Sequence, residues 1–202
     1  MKHIQALSLW LDKPIVREHL GVDLSGNDVW TDSIVWSNKD VYKIQVSEYD
    51  IAIQGNHRAW MEEHLFRETS VSSNYYLKIA INDKIVVNWY VDSHNQAFGC
   101  SCIEIQWMND KLFFIYREKH YIYGCCFDSN GLMKRVCLWH ELAILQDKMA
   151  YKAWRDPNEV KLLSLPELEE LGVISQSEAE IGIGIVSLNE IRLSFIIKNE
   201  QF

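Results

Sequence analysis

Apolar and polar residues alternate with a period of two through residues 74–138, and this alternation limits the chain to a fold built mainly from strands. In residues 84–91, for example, Ile85, Val87 and Trp89 fall on one face of a strand and the residues between them fall on the other. Short polar turns separate successive runs. We therefore expect a six-strand antiparallel meander over residues 74–138.

The predicted hairpins share a turn sequence. An Asn-Asp-Lys or Gln-Asp-Lys triplet begins at residues 82, 109 and 146. Asn and Asp accept the left-handed backbone conformations that a two-residue hairpin turn requires. Because the triplets are unevenly spaced, we interpret them as recurring hairpin chemistry and not as a repeat of the propeller kind.

Further strands are predicted outside this region. Short apolar runs at residues 4–11, 41–46 and 49–54 read as strands. The chain closes with two alternating runs, residues 180–187 and 191–197, that predict a hairpin.

One segment carries a helical pattern. In residues 56–67 an asparagine stands in the capping position, and Trp60, Met61, His64 and Leu65 fall on one helical stripe. This pattern predicts a helix.

Two further segments have helical features. Residues 138–154 fit a helix and a hairpin almost equally, and we favour the helix because 17 residues without glycine or proline are long for paired strands. Residues 166–172 have proline in the first turn and glycine at the end, which predicts a short helix.

These elements predict an α+β, strand-rich fold. About six central strands, with the N- and C-terminal strands, form an antiparallel meander sheet, and two or three helices pack on it. No linker rich in Pro, Gly or Ser divides the chain, so we expect a single domain over residues 1–202. Residues 156–158 are the weakest point for a boundary.

The chain is acidic, with a formal charge of −8. Residues 162–189 hold five carboxylates and no lysine or arginine. Such a surface repels phosphate, which argues against nucleic acid and favours a basic protein partner. No apolar run is long enough to span a membrane. Five cysteines, an odd number in strand-like sequence, indicate free thiols and a cytoplasmic location.

The sequence offers no catalytic, metal or cofactor signature. The cysteine spacings do not match the paired knuckles of a structural zinc site. There is no G-x-S-x-G elbow, no H-E-x-x-H pair and no glycine-rich phosphate loop. We expect no metal and no cofactor.

The candidate binding residues are therefore acidic and aromatic. Carboxylates near the C-terminus would attract a basic partner, and bulky groups beside an arginine on the meander are typical of protein interfaces. The predicted partner-binding residues are Glu167, Glu169, Glu170, Glu178, Glu180, Tyr90, Phe113 and Arg117.

These features favour a non-enzymatic, cytoplasmic protein-binding domain, of which an immunity protein that neutralises a basic toxic enzyme is one form. The alternative is an enzyme or small-ligand-binding protein with an aromatic-lined site on the concave face of the sheet. That alternative requires a deep pocket holding at least two titratable groups such as His94, His120, Glu104 or Asp92. The sequence does not define the oligomeric state.

Overall fold

The computed structural model describes residues 2–67, 72–95, 100–119, 121–138, 142–145, 147–152, 159–175, 179–187 and 190–197. Within these ranges the chain has one α-helix, α1 (Lys2–Leu11), a short 3-10 turn (Glu48–Asp50) and seventeen strands. The strands are β1 (Ile15–Val22), β2 (Asp28–Trp36), β3 (Lys43–Ser47), β4 (Ile51–Gln54), β5 (His57–Leu65), β6 (Ser72–Ile81), β7 (Lys84–Asn95), β8 (Ser101–Met108), β9 (Lys111–Glu118), β10 (Tyr121–Asp128), β11 (Gly131–Cys137), β12 (Leu142–Leu145), β13 (Lys148–Lys152), β14 (Glu159–Ser164), β15 (Glu170–Ser175), β16 (Ala179–Ser187) and β17 (Glu190–Ile197).

The strands form antiparallel sheets, which confirms the strand-rich prediction. The first sheet has the order β1-β2-β3-β5-β6-β7, and β4 also pairs with β5. The second sheet is β11-β10-β9-β8, the third is β12-β13-β14-β15, and β16 pairs with β17. Strands β4–β7, β8–β11 and β12–β15 are thus three successive four-strand meanders.

The sheets stack face to face, with a separate apolar cluster in each layer. Helix α1 packs on the outer face of the first sheet through a cluster that includes Ile4, Leu7 and Trp60. The first and second sheets enclose a cluster around Phe114 and Phe127. The second and third sheets enclose another, which includes Phe113, Ile115, Ile122, Met149 and Leu163. Strands β9 and β10, at the centre of the second sheet, are therefore buried on both faces.

The turn chemistry of the hairpins follows the sequence. Asn82 and Asp83 have φ of 49° and 61°, and Asn109 and Asp110 have φ of 50° and 60°. Two consecutive residues with positive φ are the mark of a type I′ hairpin turn, whose twist matches that of the strands.

The predicted six-strand meander is divided between two sheets. Strands β6 and β7 belong to the first sheet, whereas β8 to β11 form the second. The prediction of a single meander sheet was therefore wrong. The six strands are divided between two stacked sheets, whose facing apolar side chains form a shared core.

The number of predicted helices was also wrong. Residues 57–65 of the predicted helix 56–67 form strand β5, where Trp60 faces the cluster under α1 and Met61 faces the second sheet. Because both faces of β5 are buried, its apolar residues are not confined to alternate positions, and they imitate a helical stripe. Conversely, residues 4–11 lie in α1 and not in a strand, with Ile4 and Leu7 on its buried side.

The two remaining helix predictions fail in the same way. Within residues 138–154, the described part forms the β12–β13 hairpin. Residues 166–172 form a turn that contains the cis peptide bond Leu165-Pro166 and then enter β15. Leu165 and Leu168 are buried against the second sheet, and this packing replaces the predicted short helix. The terminal hairpin of β16 and β17 is confirmed.

The suggested boundary at residues 156–158 lies outside the described residues. Across the ranges that are described, the helix is too short to cross a membrane.

Candidate functional site

The hairpin of β1 and β2, residues 15–36, is only partly covered by other elements. From Arg17 to Leu20 the side chains on both faces of β1 are exposed. Four large apolar side chains are exposed on this hairpin, and they are Leu20, Val22, Leu24 and Trp30. Leu24, at the tip, is 94% exposed and Trp30 is 48% exposed. Apolar groups left in water on one element are typical of an interaction surface.

The tip of the hairpin is ordered by one carboxylate. Oδ1 of Asp23 accepts hydrogen bonds from the backbone amides of Ser25 and Asn27, both at 2.8 Å. These hydrogen bonds, with Asn27 contributing most, hold the pKa of Asp23 below its usual value. Gly26 takes a φ of 83°, which a side chain would disfavour. The exposed tip therefore has a defined backbone conformation.

Trp30 is held in place on one face of the hairpin by charged neighbours. The His19 ring lies 4.7 Å from the Trp30 ring between centroids, and the Arg17 guanidinium lies 5.4 Å from it. Nε2 of His19 is 3.0 Å from a carboxylate oxygen of Asp28, and Nε of Arg17 is 3.9 Å from one of Asp32. We call these five residues the Trp30 platform. A half-exposed tryptophan with fixed neighbours loses little side-chain entropy when a partner covers it.

The hairpin is also acidic. Residues 15–36 contain one arginine and four carboxylates (Glu18, Asp23, Asp28 and Asp32), a formal charge of −3. This charge attracts basic groups over a Debye length of about 8–10 Å at physiological salt. The surface therefore combines apolar contact area with a negative field.

The carboxylates predicted as binding residues have different surroundings. Glu167 is 2.7 Å from Nζ of Lys111, and Glu170 is 3.1 Å from Nζ of Lys161. Glu169 is exposed. Glu178 lies outside the described residues, and Glu180 lies in β16. Two of the five charges are thus balanced by lysines of the same chain, which weakens the field available to a partner.

The structure does not bring the predicted aromatic residues together. Phe113 is completely buried between the second and third sheets, so its expected place on an exposed patch is corrected. It is buried because the third sheet covers the face of the second sheet from which Phe113 projects. Tyr90 is 47% exposed on β7 of the first sheet, and Arg117 is exposed on β9 of the second.

A polar cluster lies between the first and second sheets. Glu63 accepts hydrogen bonds from the hydroxyl of Ser73 at 2.7 Å, from that of Tyr75 at 2.8 Å, and from the side-chain amide of Gln45. Asp50, in the 3-10 turn, accepts a hydrogen bond from the Cys102 thiol. Burial, reinforced by the charge of Glu63, raises the pKa of Asp50 to about 7.

The thiols near this cluster are poor nucleophiles. Burial raises the pKa of Cys100 above its usual range, and the nearby carboxylates add to the effect. Burial and the neighbouring Asp50 raise the pKa of Cys102 in the same direction. A thiol must lose its proton to attack a substrate, so these cysteines are inert at neutral pH.

A shallow cavity of about 240 Å³ lies between β4 and β8. Its lining residues are His3, Ile51, Ala52, Ile53, Gln54, Ile105, Gln106 and Trp107. His3 is the one titratable side chain among them, and neither Glu104 nor Asp92 lines it. His120 is outside the described residues. This cavity therefore gives no support to the enzyme alternative, which needs two or more titratable groups.

Among the described residues no group of three or more His, Cys, Asp or Glu side chains is arranged to hold a metal ion. All five cysteines are free. No protein-family model matches the chain, and no curated protein matches it.

The β1–β2 hairpin is the surface that sequence reasoning missed. Part of its signal was present, since Asp23-Leu-Ser-Gly-Asn27 is a loop rich in turn-forming residues. The flanking runs do not alternate in polarity, and the sequence does not show that Trp30 is left half-exposed.

Proposed function

We propose that this protein is a non-enzymatic protein-binding domain that recognises a basic protein partner. The specific form we propose is an immunity protein, which neutralises a basic toxic enzyme by covering it. The observation that carries the proposal is the acidic β1–β2 hairpin, which presents the Trp30 platform to solvent.

The chemistry of the platform supports this function. Tryptophan and arginine are the residues that most often dominate the energy of protein interfaces, and here Arg17 stacks over Trp30. The four carboxylates of the hairpin would speed the approach of a basic partner and exclude acidic ones. Apolar contact would supply affinity and charge would supply selectivity.

The remaining features are consistent with a binding role. Burial raises the pKa of the Cys100 and Cys102 thiols, which makes them weak nucleophiles. Free cysteines suit the reducing cytoplasm that we propose as the compartment. Glu169, which lies outside the hairpin, is a further exposed carboxylate.

The test is capture of the partner with matched variants. Tagged protein purified from its native host is expected to recover a basic protein in a one-to-one ratio, released by high salt, whose enzymatic activity falls when the purified domain is added back. Trp30→Ser should reduce recovery at least tenfold. Tyr49→Ser, at a 72% exposed aromatic outside the hairpin, is the control and should leave recovery unchanged. Failure to recover a stoichiometric basic partner would contradict the proposal.

A further inference from the structure

Strand β1 is an edge strand of the first sheet, so its outer side presents a row of backbone hydrogen-bonding groups. In the described part of the chain, β1 is the first strand of its sheet and pairs only with β2. Of the other edge strands of the first sheet, β4 contacts β8 and β7 contacts β11. The edge of β1 is therefore a place where a further strand can join the first sheet.

The pairing of β1 with β2 limits the length of that edge. The register is continuous from Ile15 to His19, and a bulge follows between His19 and Gly21. A bulge bends the strand and interrupts a ladder. The run open to a partner is therefore residues 15–19, Ile-Val-Arg-Glu-His.

The side chains along this run select the partner. Directly opposite residues of an antiparallel pair share a face. Glu18 lies on the face shared with Thr31, and Arg17 and His19 lie on the face of Trp30. A basic side chain opposite Glu18 is favoured, whereas one opposite Arg17 is repelled. An apolar side chain fits better on the Trp30 face.

A second copy of this chain is a poor occupant. Antiparallel self-pairing needs a two-fold axis, and the register that uses all five residues places Arg17 opposite Arg17. Moving the axis by one residue places Glu18 opposite Glu18. Like charges directly opposite destabilise a pair of strands, and two hairpins of charge −3 repel each other.

We propose that an extended segment of a basic partner protein, with alternating basic and apolar residues, joins the first sheet as an additional strand antiparallel to residues 15–19 of β1. The inference rests on the proposed function and specifies its mode. Main-chain hydrogen bonds supply affinity, and Glu18 and the Trp30 platform set the alternation that the segment must have.

The probe is a nine-residue peptide in which valine and lysine alternate, added to the full-length protein. We expect slower hydrogen exchange and shifted amide resonances within residues 15–36. Two control peptides separate the contribution of charge from that of the main-chain hydrogen bonds. Replacing lysine by glutamate tests charge, and N-methylating alternate backbone amides removes the strand hydrogen bonds while keeping the side chains. Both controls should bind at least tenfold more weakly.

Variants of the protein locate the site. Glu18→Lys should weaken the lysine peptide about fivefold, because an exposed charge pair is lost and repulsion replaces it. Glu159→Lys makes the same change at an exposed carboxylate outside the hairpin and should have no effect. Equal binding of the N-methylated peptide, absence of binding, or sensitivity to Glu159→Lys but not to Glu18→Lys would overturn the strand-addition mode. A concentration-dependent dimer with β1 protected would do the same.

Failure of this mode and failure of the proposed function are distinguishable. If a basic partner is captured through Trp30 and β1 amides still exchange freely in that complex, the function stands and strand addition is wrong. If the amides become protected in the complex, strand addition is supported with the natural partner.

Discussion

The indole Nε1–H of Trp107 donates a hydrogen bond of 3.2 Å to the backbone carbonyl of Ala52. This bond joins β8, the first strand of the second meander, to β4, the first strand of the preceding one. Both residues are buried, with Trp107 8% exposed. It is a direct polar link between two sheets whose shared core is otherwise mainly apolar.

Trp107→Phe should lower the free energy of unfolding by about 1–2 kcal/mol, because the carbonyl of Ala52 loses its donor while most of the apolar contact remains. Trp107→Ala should cost about 3–5 kcal/mol, since a large cavity is added. Urea unfolding measures both values. Trp30→Phe, at a half-exposed site, is the control and should stay within about 0.5 kcal/mol. A cost for Trp107→Phe no larger than that of the control would show that the bond does not hold the sheets together.

Hairpins were the part of the fold that local sequence could define. The turns at residues 82–83 and 109–110 form where Asn-Asp predicts them, because positive φ at both positions depends on the turn residues themselves. The division of the meander between sheets was not predictable, since it depends on how strands pack and not on how each alternates. The unequal spacing of the turn triplets also has a structural reason. Those at 109 and 146 join the first two strands of a meander, whereas that at 82 joins the last two.

The candidate site shows a similar limit to what can be predicted from the sequence. The sequence shows where the carboxylates lie along the chain, but it does not show which of them form ion pairs. Lys111 and Glu167, for example, are 56 residues apart and meet only in the folded structure. Phe113 and Tyr90 occupy comparable positions on alternating strands, yet one is buried and the other half-exposed. A period-two pattern separates the two faces of a strand and does not say which faces are covered.

The hairpin turn at Asn109 and Asp110 offers a test of backbone strain. Asp110 is exposed with a φ of 60°, so Asp110→Ala should lower the free energy of unfolding by about 1 kcal/mol. Asp110→Gly should raise it by about 0.5 kcal/mol, because glycine adopts this conformation without steric cost. Urea unfolding of the two variants gives the values. An equal effect of alanine and glycine would contradict this account of the turn.

Thiol reactivity should separate Cys137 from the other four cysteines. Cys137 is exposed, whereas burial raises the pKa of Cys125 to about 12 and that of Cys126 to about 11. Ellman's reagent should therefore modify one thiol rapidly in native protein at pH 7.5 and all five in denaturant. Cys137→Ser should abolish the rapid phase. Two or more rapidly reacting thiols in that variant would show that the cores around the second sheet are open.

Asp50 should make stability depend on pH. Burial, aided by the charge of Glu63, raises the pKa of Asp50 to about 7 in the folded protein, against about 3.9 for an unfolded aspartate. The folded state therefore holds a proton that the unfolded state has lost between these values. Its stabilising effect is complete below about pH 4 and is lost as the pH rises through about 7. Across this window Asp50 should reduce the free energy of unfolding by on the order of 4 kcal/mol, since each unit of pKa difference corresponds to about 1.4 kcal/mol.

Asp50→Asn removes this titration, so its stability should vary less between pH 4 and 8, and at pH 8 it should exceed that of the unmodified protein. Burial also raises the pKa of Glu104, and a smaller decline in the same direction should remain. Asp40→Asn, at an exposed carboxylate, should keep the full pH dependence. Urea unfolding at half-unit pH steps measures the three profiles. If Asp50→Asn and Asp40→Asn gave the same slope, the proton would not reside on Asp50, and the contact between the 3-10 turn and β8 would not depend on its charge.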